Sequence, residues 1–221
     1  MRPRIRVLDL YSGAGGAGMG YHLAGFEVTG VDLVEQPRYP FTFHRGDALE
    51  FLAAHGHEFD MIHASPPCHD HSPLVSRAGS NGTGWLLDAT LAALAAQPVP
   101  WVVENVAGAR MRADITLCGS MFGLRTYRHR KFAIDPHVPF LPAVPWHPAH
   151  TIRTSTKKRR TDFAAGMHIS VTGDVESWVG PACMGIDWMT GPELAQAIPP
   201  AYTHHIGTHL HAWLTGNEAA A

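Results

Sequence analysis

Cys68 follows two prolines in the stretch SPPCHDHS, directly after an apolar run at residues 61–64. A cysteine attacks as its thiolate, so a reactive one must be partly exposed and held in position. Pro66 and Pro67 restrict the conformations open to the chain ahead of it. The residue types allow a nucleophile, a metal ligand or a small core residue. A second group able to do chemistry is Glu104, at the end of the apolar stretch WVVENV. A carboxyl group in a dry pocket can hold or donate a proton to a heterocycle nitrogen. The stretch RTYRHRKF adds Arg128 and Arg130, two apart, which on a strand would face one way. Paired guanidinium groups suit a phosphate or a base carbonyl.

A glycine-rich turn, DLYSGAGGAGMG, lies near the start. Glycines 13, 15 and 18 satisfy G-x-G-x-x-G, and Asp32 closes the next apolar run. Such a turn lets backbone approach a ligand, and the following acid can bind ribose hydroxyls. The motif indicates an adenosine-bearing cofactor without separating a nicotinamide dinucleotide from S-adenosylmethionine.

These groups need a frame that brings them together. Residues 5–10, 27–31, 41–44, 61–64 and 101–103 read as strands, while 17–24, 48–55, 85–96 and 193–198 read as helices, the last stopped by Pro199-Pro200. The alternation implies an α/β fold, a parallel sheet covered on both faces. Ligands in such sheets bind beyond the carboxyl ends of the strands, where Cys68, Glu104 and the glycine turn fall. From residue 136 to 148 proline is frequent and periodicity is lost, as in a linker or small irregular lobe.

The 221 residues are enough for one large domain with a small appendage. No run of roughly eighteen apolar residues occurs, and the start, MRPRIRVLDL, lacks a signal peptide's apolar core. Cys68, Cys118 and Cys183 form no disulfide framework, which suits a reducing cytoplasm. The net charge of −2 conceals an asymmetry: residues 110–160 hold eleven basic and two acidic side chains. A positive block on an otherwise acidic chain is what a phosphate-contacting face needs. No metal is expected. Cys68, His69, Asp70 and His71 lack the paired spacing of a zinc site; in the group His204, His205, His209 and His211, His205 and His209 fit one helical turn but no cysteine pair accompanies them, and sixteen histidines make chance clusters common. Cys118 and Cys183 are expected to pack as small apolar residues.

Together, DLYSGAGGAGMGYHLAGF, SPPC, ENV and RHR, in that order, resemble the motifs of the cytosine-C5 DNA methyltransferases, and GIDWMTGPELAQAIPPAYTHHIG resembles the C-terminal motifs of compact, phage-type members. The resemblance implies a Rossmann-like methyltransferase sheet with S-adenosylmethionine as cofactor. It implies that Cys68 attacks C6 of a flipped cytosine, that Glu104 hydrogen-bonds N3, and that Arg130 contacts the base carbonyl with Arg128 assisting. Tyr11 would pack on the adenine side of the cofactor, with Gly13, Gly15 and Gly16 shaping the backbone. Asp32 would bind the ribose, Asp47 would sit near the adenine amine, and Pro67 would line the cofactor side of the nucleophile loop.

The chain departs from the family pattern in three places. His69 and His71 stand where the family has glutamine and an aromatic residue, with Ser72 retained; His69 and Ser72 are expected at the DNA. Gly207-Thr208 replaces a Gly-Asn pair. Only about fifty residues, 133–184, are available for target recognition, so few side chains can reach base edges. Lys157, Lys158, Arg159 and Arg160 are expected on phosphates. The division implied is a catalytic and cofactor-binding domain at 1–134, a recognition lobe at 135–184 and a returning segment at 185–221. The partner would be double-stranded DNA, with no membrane, in a cytoplasmic protein. Rival readings are an enzyme for single-stranded DNA or cytosine nucleotides, a non-catalytic DNA-binding relative, and a nicotinamide-dependent oxidoreductase that leaves SPPC and ENV unexplained.

Overall fold

The strand Arg6–Leu10 (β1) is buried along Val7, Leu8, Asp9 and Leu10, as befits a central parallel strand covered on both faces. After it come α1 (Gly16–Leu23), β2 (Glu27–Asp32), β3 (Thr42–Arg45), α2 (Ala48–His55), β4 (Met61–Ala64), α3 (Trp85–Ala95), β5 (Trp101–Val106), β6 (Ile115–Leu117) and β7 (Arg130–Ile134). The computed structural model describes residues 4–67, 85–149, 154–155, 160–171 and 178–216, with the backbone alone at 154, 155 and 160. Its main sheet has the order β3-β2-β1-β4-β5-β7-β6, in which β7 runs against both its neighbours and the other strands are parallel. The strand order reverses between β1 and β4, the place where open α/β sheets bind ligands. The fold is the Rossmann-like fold of the S-adenosylmethionine-dependent methyltransferases.

One face of the sheet packs Val7, Met61, Val102 and Phe132 against Tyr21 of α1 and Tyr202 and Ile206 of α7 (Pro200–Leu214). The other packs Leu8, Leu10, Ile62 and Val103 against Leu52 of α2 and Leu87 and Leu94 of α3. Pro200 does not end a helix but occupies the first position of α7, where the missing N–H costs nothing and the fixed φ favours the helical start. Gly207 of α7 lies against Tyr21, with a Cβ there 2.9 Å from the ring. Thr208 beside it is exposed and caps back onto the His204 carbonyl at 2.8 Å.

Beyond the main sheet lies a parallel pair, β8 (Thr154–Ser155) and β9 (His168–Ile169), with α4 (Arg160–Ala164) between them. Ile169, Val179 and Cys183 share an apolar cluster with Leu194 of α6 (Gly191–Gln196) and with Ala14 of the glycine turn; α5 is Val179–Met184. Cys183 is fully buried there, and burial pushes its thiol up to about 11. Arg125 fixes the lobe to the sheet by donating to the carbonyls of Phe163 and Met167 at 3.0 and 2.9 Å. Among the described residues no helix is long and apolar enough to cross a membrane.

Beneath α1, Asp9 and His63 are register partners on β1 and β4, both fully buried. Asp9 accepts from the Tyr39 hydroxyl at 3.1 Å, and His63 Nδ1 meets the Tyr21 hydroxyl at 3.0 Å. Desolvation lifts the Asp9 carboxyl from 3.8 to about 8 and drops the His63 imidazole from 6.5 to about 3. The unfolded chain loses the Asp9 proton first, so this group makes stability fall as pH climbs from about 4 to about 8. For His63 the unfolded chain gains the proton first, so stability falls as pH drops from about 6.5 to about 3. The two contributions oppose each other between about 4 and 6.5, and above that Asp9 alone contributes a decline on the order of 1 kcal/mol per pH unit up to about 8. Urea denaturation across pH 5–8.5 should show this limb in the wild type and lose it in Asp9→Asn, which keeps the acceptor for Tyr39.

Candidate active site

Tyr11 follows β1, and its φ of 56° places a non-glycine residue in the left-handed region. This turns its ring towards α3, where the hydroxyl meets Thr90 Oγ1 at 2.9 Å. Gly15 follows as the N-cap of α1 with φ 88°, and a Cβ there would come within 2.9 Å of Pro40. Asp32, at the end of β2, accepts the Gly13 N–H at 2.9 Å and the Val34 N–H at 3.1 Å. Its carboxylate therefore sets the shape of the glycine turn besides facing the cleft. Asp47 caps α2 through one oxygen, accepting from Leu49 and Glu50 N–H at 2.8 and 3.0 Å.

Tyr11, Gly13, Asp32, Asp47, Pro67, Glu104 and Arg130 all line one cleft of about 610 Å³. Gly16 lines a smaller neighbouring recess beside Ser12 and Gly13. The chain carries the proline corner onto the cleft wall as far as Pro67. Cys68, His69, His71 and Ser72 lie outside the described residues, as do Lys157, Lys158 and Arg159. Of Arg160 the backbone alone is described, as the first residue of α4.

Glu104 is 5 % exposed, and its Oε1 lies 2.8 Å from Arg130 Nε in an ion pair. Burial raises the Glu104 pKa, with Arg130 and then Arg128 pulling it back. A carboxyl group in this balance can hold its proton nearer neutrality than an exposed one. Arg128 does not stand beside Arg130 on one strand face, because β7 begins at Arg130. Its guanidinium donates to the carbonyls of Val171 and Ala195 at 3.2 and 2.5 Å, joining the lobe to α6, while its charge still reaches Glu104.

Three contributors escaped the sequence reading. Asn105 donates from Nδ2 to the Pro66 carbonyl at 3.1 Å, tying the end of β5 to the proline corner. Trp188 donates from its indole to the Ala14 carbonyl at 2.8 Å, holding the glycine turn from the far end of the chain. Glu193 caps α6 through Thr190, pairs with Arg38 at 3.0 Å and reaches the cleft. The TGPE start of α6 carries the sequence signal of a capping box; the other two contacts depend on tertiary packing that periodicity does not encode.

The cleft thus sits at the strand-order reversal, walled by a glycine turn with its acid and by a carboxyl–guanidinium pair. No family model matches the chain. The type II methyltransferase M.HgiGI of Herpetosiphon aurantiacus is 32% identical over 119 residues, 48% of this chain and 94% of that protein. M.HgiDI, from the same organism and also a type II methyltransferase, is 31% identical over 143 residues, 59% of this chain. The chain spans just under half, 46%, of M.HgiDI. The fold aligns with that of the Entamoeba histolytica methyltransferase EhMeth at a TM-score of 0.56 and 10% identity, over 99% of this chain and 100% of the other. The chain belongs to the type II methyltransferase family.

Proposed function

We propose that the protein is a DNA cytosine-C5 methyltransferase using S-adenosylmethionine, with double-stranded DNA as its partner. The observation that carries this is the single cleft shared by the glycine turn, the Pro66-Pro67 corner and the Glu104–Arg130 pair. The chemistry of the cleft fits this cofactor better than a dinucleotide. The Gly13 N–H, which a pyrophosphate would need, is given to Asp32. Asp32 and Asp47 present carboxylates suited to ribose hydroxyls and an adenine amine, with Leu33, Val34 and Leu86 as apolar wall.

Bound S-adenosylmethionine supplies an electrophilic methyl group. The proline corner lines the cleft as far as Pro67, and the thiolate of Cys68, the next residue in sequence, adds to C6 of a cytosine flipped from the duplex, since neither C6 nor C5 is open to this approach within the stack. Glu104, with its raised pKa, hydrogen-bonds N3 and stabilises the charge that attack pushes into the ring. Arg130 contacts the base carbonyl, and Arg128 adds positive charge from its place against the lobe. After C5 is methylated, removal of the C5 proton expels Cys68. Tyr11, Gly13, Gly15, Gly16 and Pro67 shape the cofactor side. His69, Ser72 and residues 157–160 face the DNA, the last from a lobe at 135–184 between a catalytic domain at 1–134 and a returning segment at 185–221.

The test is tritium transfer from labelled S-adenosylmethionine to duplex DNA, single-stranded DNA and cytosine nucleotides. Transfer to duplex, with a covalent adduct on 5-fluorocytosine DNA, is the expected result. No transfer to any DNA, with no adduct, overturns the reading; transfer to nucleotides alone moves the substrate class. Asn105→Ala releases the corner from β5, and a misplacement near 1 Å costs roughly 10²-fold in rate. Transfer should fall by about that factor in single-turnover assays; wild-type transfer in Asn105→Ala would remove the corner's tether from the catalytic geometry.

A further inference from the structure

Cys118 follows β6 and His129 leads into β7, one position beyond the cross-strand partners Leu117 and Arg130. The antiparallel pairing therefore sets these two side chains at the same sheet end. His147 reaches them from the irregular segment after β7, a segment anchored to α7 where His205 Nε2 meets the Ala143 carbonyl at 2.8 Å. The Nε2 atoms of His129 and His147 lie 3.2 Å apart, and the Cys118 sulfur and both nitrogens fall within 4.8 Å of one another. Tetrahedral zinc, with bonds of roughly 2.0–2.1 Å to nitrogen and 2.3 Å to sulfur, sets its ligand atoms about 3.3 Å apart for two nitrogens and about 3.6 Å for nitrogen and sulfur. The nitrogen pair is already near that spacing, and the sulfur needs a shift of about 1.2 Å at most.

We propose that Cys118, His129 and His147 bind a divalent transition-metal ion, zinc by preference, as a staple at the base of the small lobe. A thiolate with two imidazoles is a borderline-soft donor set that suits zinc over magnesium or calcium. The Ser120 hydroxyl is placed to donate to the Cys118 sulfur at 3.3 Å, the kind of contact that steadies a metal-bound thiolate. On binding, the thiol proton passes to solvent as the sulfur–metal bond forms. The role is structural: Cys118 is fully buried, and none of the three residues lines the cleft. The ion would join β6, β7 and the 135–149 segment directly behind Arg130, whose Nη1 donates to the His129 carbonyl at 2.9 Å. The sequence reading expected no metal from the groups it weighed, residues 68–71 and 204–211; Cys118, His129 and His147 are widely spaced and carry no paired motif that would have singled them out.

Chain lacking a polyhistidine tag, stripped with chelator, is loaded with zinc or cobalt(II) and desalted. One zinc ion per chain is expected, and a cobalt spectrum with tetrahedral d–d bands and a thiolate charge-transfer band. Cys118→Ser should remove the charge-transfer band. His147→Ala, in an irregular surface segment and so compatible with folding, should weaken zinc binding ~100-fold or more. Desalted wild type without metal, a cobalt spectrum unchanged in Cys118→Ser, or wild-type zinc affinity in His147→Ala would each overturn the proposal. In that event the two imidazoles simply share a proton.

Discussion

Glu104→Gln should lower methyl transfer by roughly 10²–10⁴-fold, the usual contribution of a positioned proton donor. Cys68→Ala should abolish transfer and the 5-fluorocytosine adduct together. Glutamine keeps the size of Glu104 and an N–H able to reach N3, but carries no charge for Arg130 and cannot share its proton with the ring. Its loss also leaves a guanidinium that is 14% exposed without its nearest carboxylate, which penalises the site further. A pH signature separates these effects from misfolding. Because burial raises the Glu104 pKa, the proton is shed as pH rises through that value, and the single-turnover rate should fall along this limb. In Glu104→Gln the limb should vanish. A variant with wild-type rate at every pH would remove Glu104 from the chemistry.

The second large effect falls on stability. A Cβ at Gly20 would overlap Thr203 Oγ1 and the Pro200 carbonyl oxygen and lie 2.6 Å from the His204 backbone nitrogen. Two of these are backbone atoms at the start of α7, and Thr203 is itself bonded to the Ala17 carbonyl at 2.8 Å. None can give way without moving α7 off α1. Gly20→Ala should therefore destabilise by about 3 kcal/mol, at the upper end of overpacking costs. Gly46→Ala serves as the control, since its Cβ meets nothing within 4 Å and its φ is ordinary. Denaturant midpoints for both variants, with unchanged slopes, check the difference.

The parallel half of the fold was legible because its strands are short apolar runs punctuated by glycine, proline and acid. Residues 5–10, 27–31 and 61–64 fall on β1, β2 and β4 to within a residue. Legibility fails where the signal is tertiary. Pro199-Pro200 reads as a stop, yet only the covering of Tyr21 by Tyr202 and Ile206 decides that a helix begins there. Three-residue β6 exists because β7 pairs with it, and its own sequence is too short to show a period. At the site, Glu104 and the glycine turn announce themselves by type and position. The bond from Asn105 to Pro66 and that from Trp188 to Ala14 join residues whose spacing carries no pattern. Arg128 illustrates the opposite failure: the two-residue spacing suggested a shared face, but the strand starts too late to impose it.

The seam between α1 and α7 has a consequence for the order in which the molecule is made. The inner side of α1 is lined by Gly16 and Gly20, whose nearest neighbours are Ile198 and residues 200–204. Synthesis proceeds from the other end at about 5–20 residues per second. The first helix therefore emerges well before its cover exists, and the nascent sheet keeps Val7 and Met61 open on that side in the meantime. A ribosome stalled before residue 200 should hold a protease-sensitive chain, and release of the last helix should close it in one cooperative step.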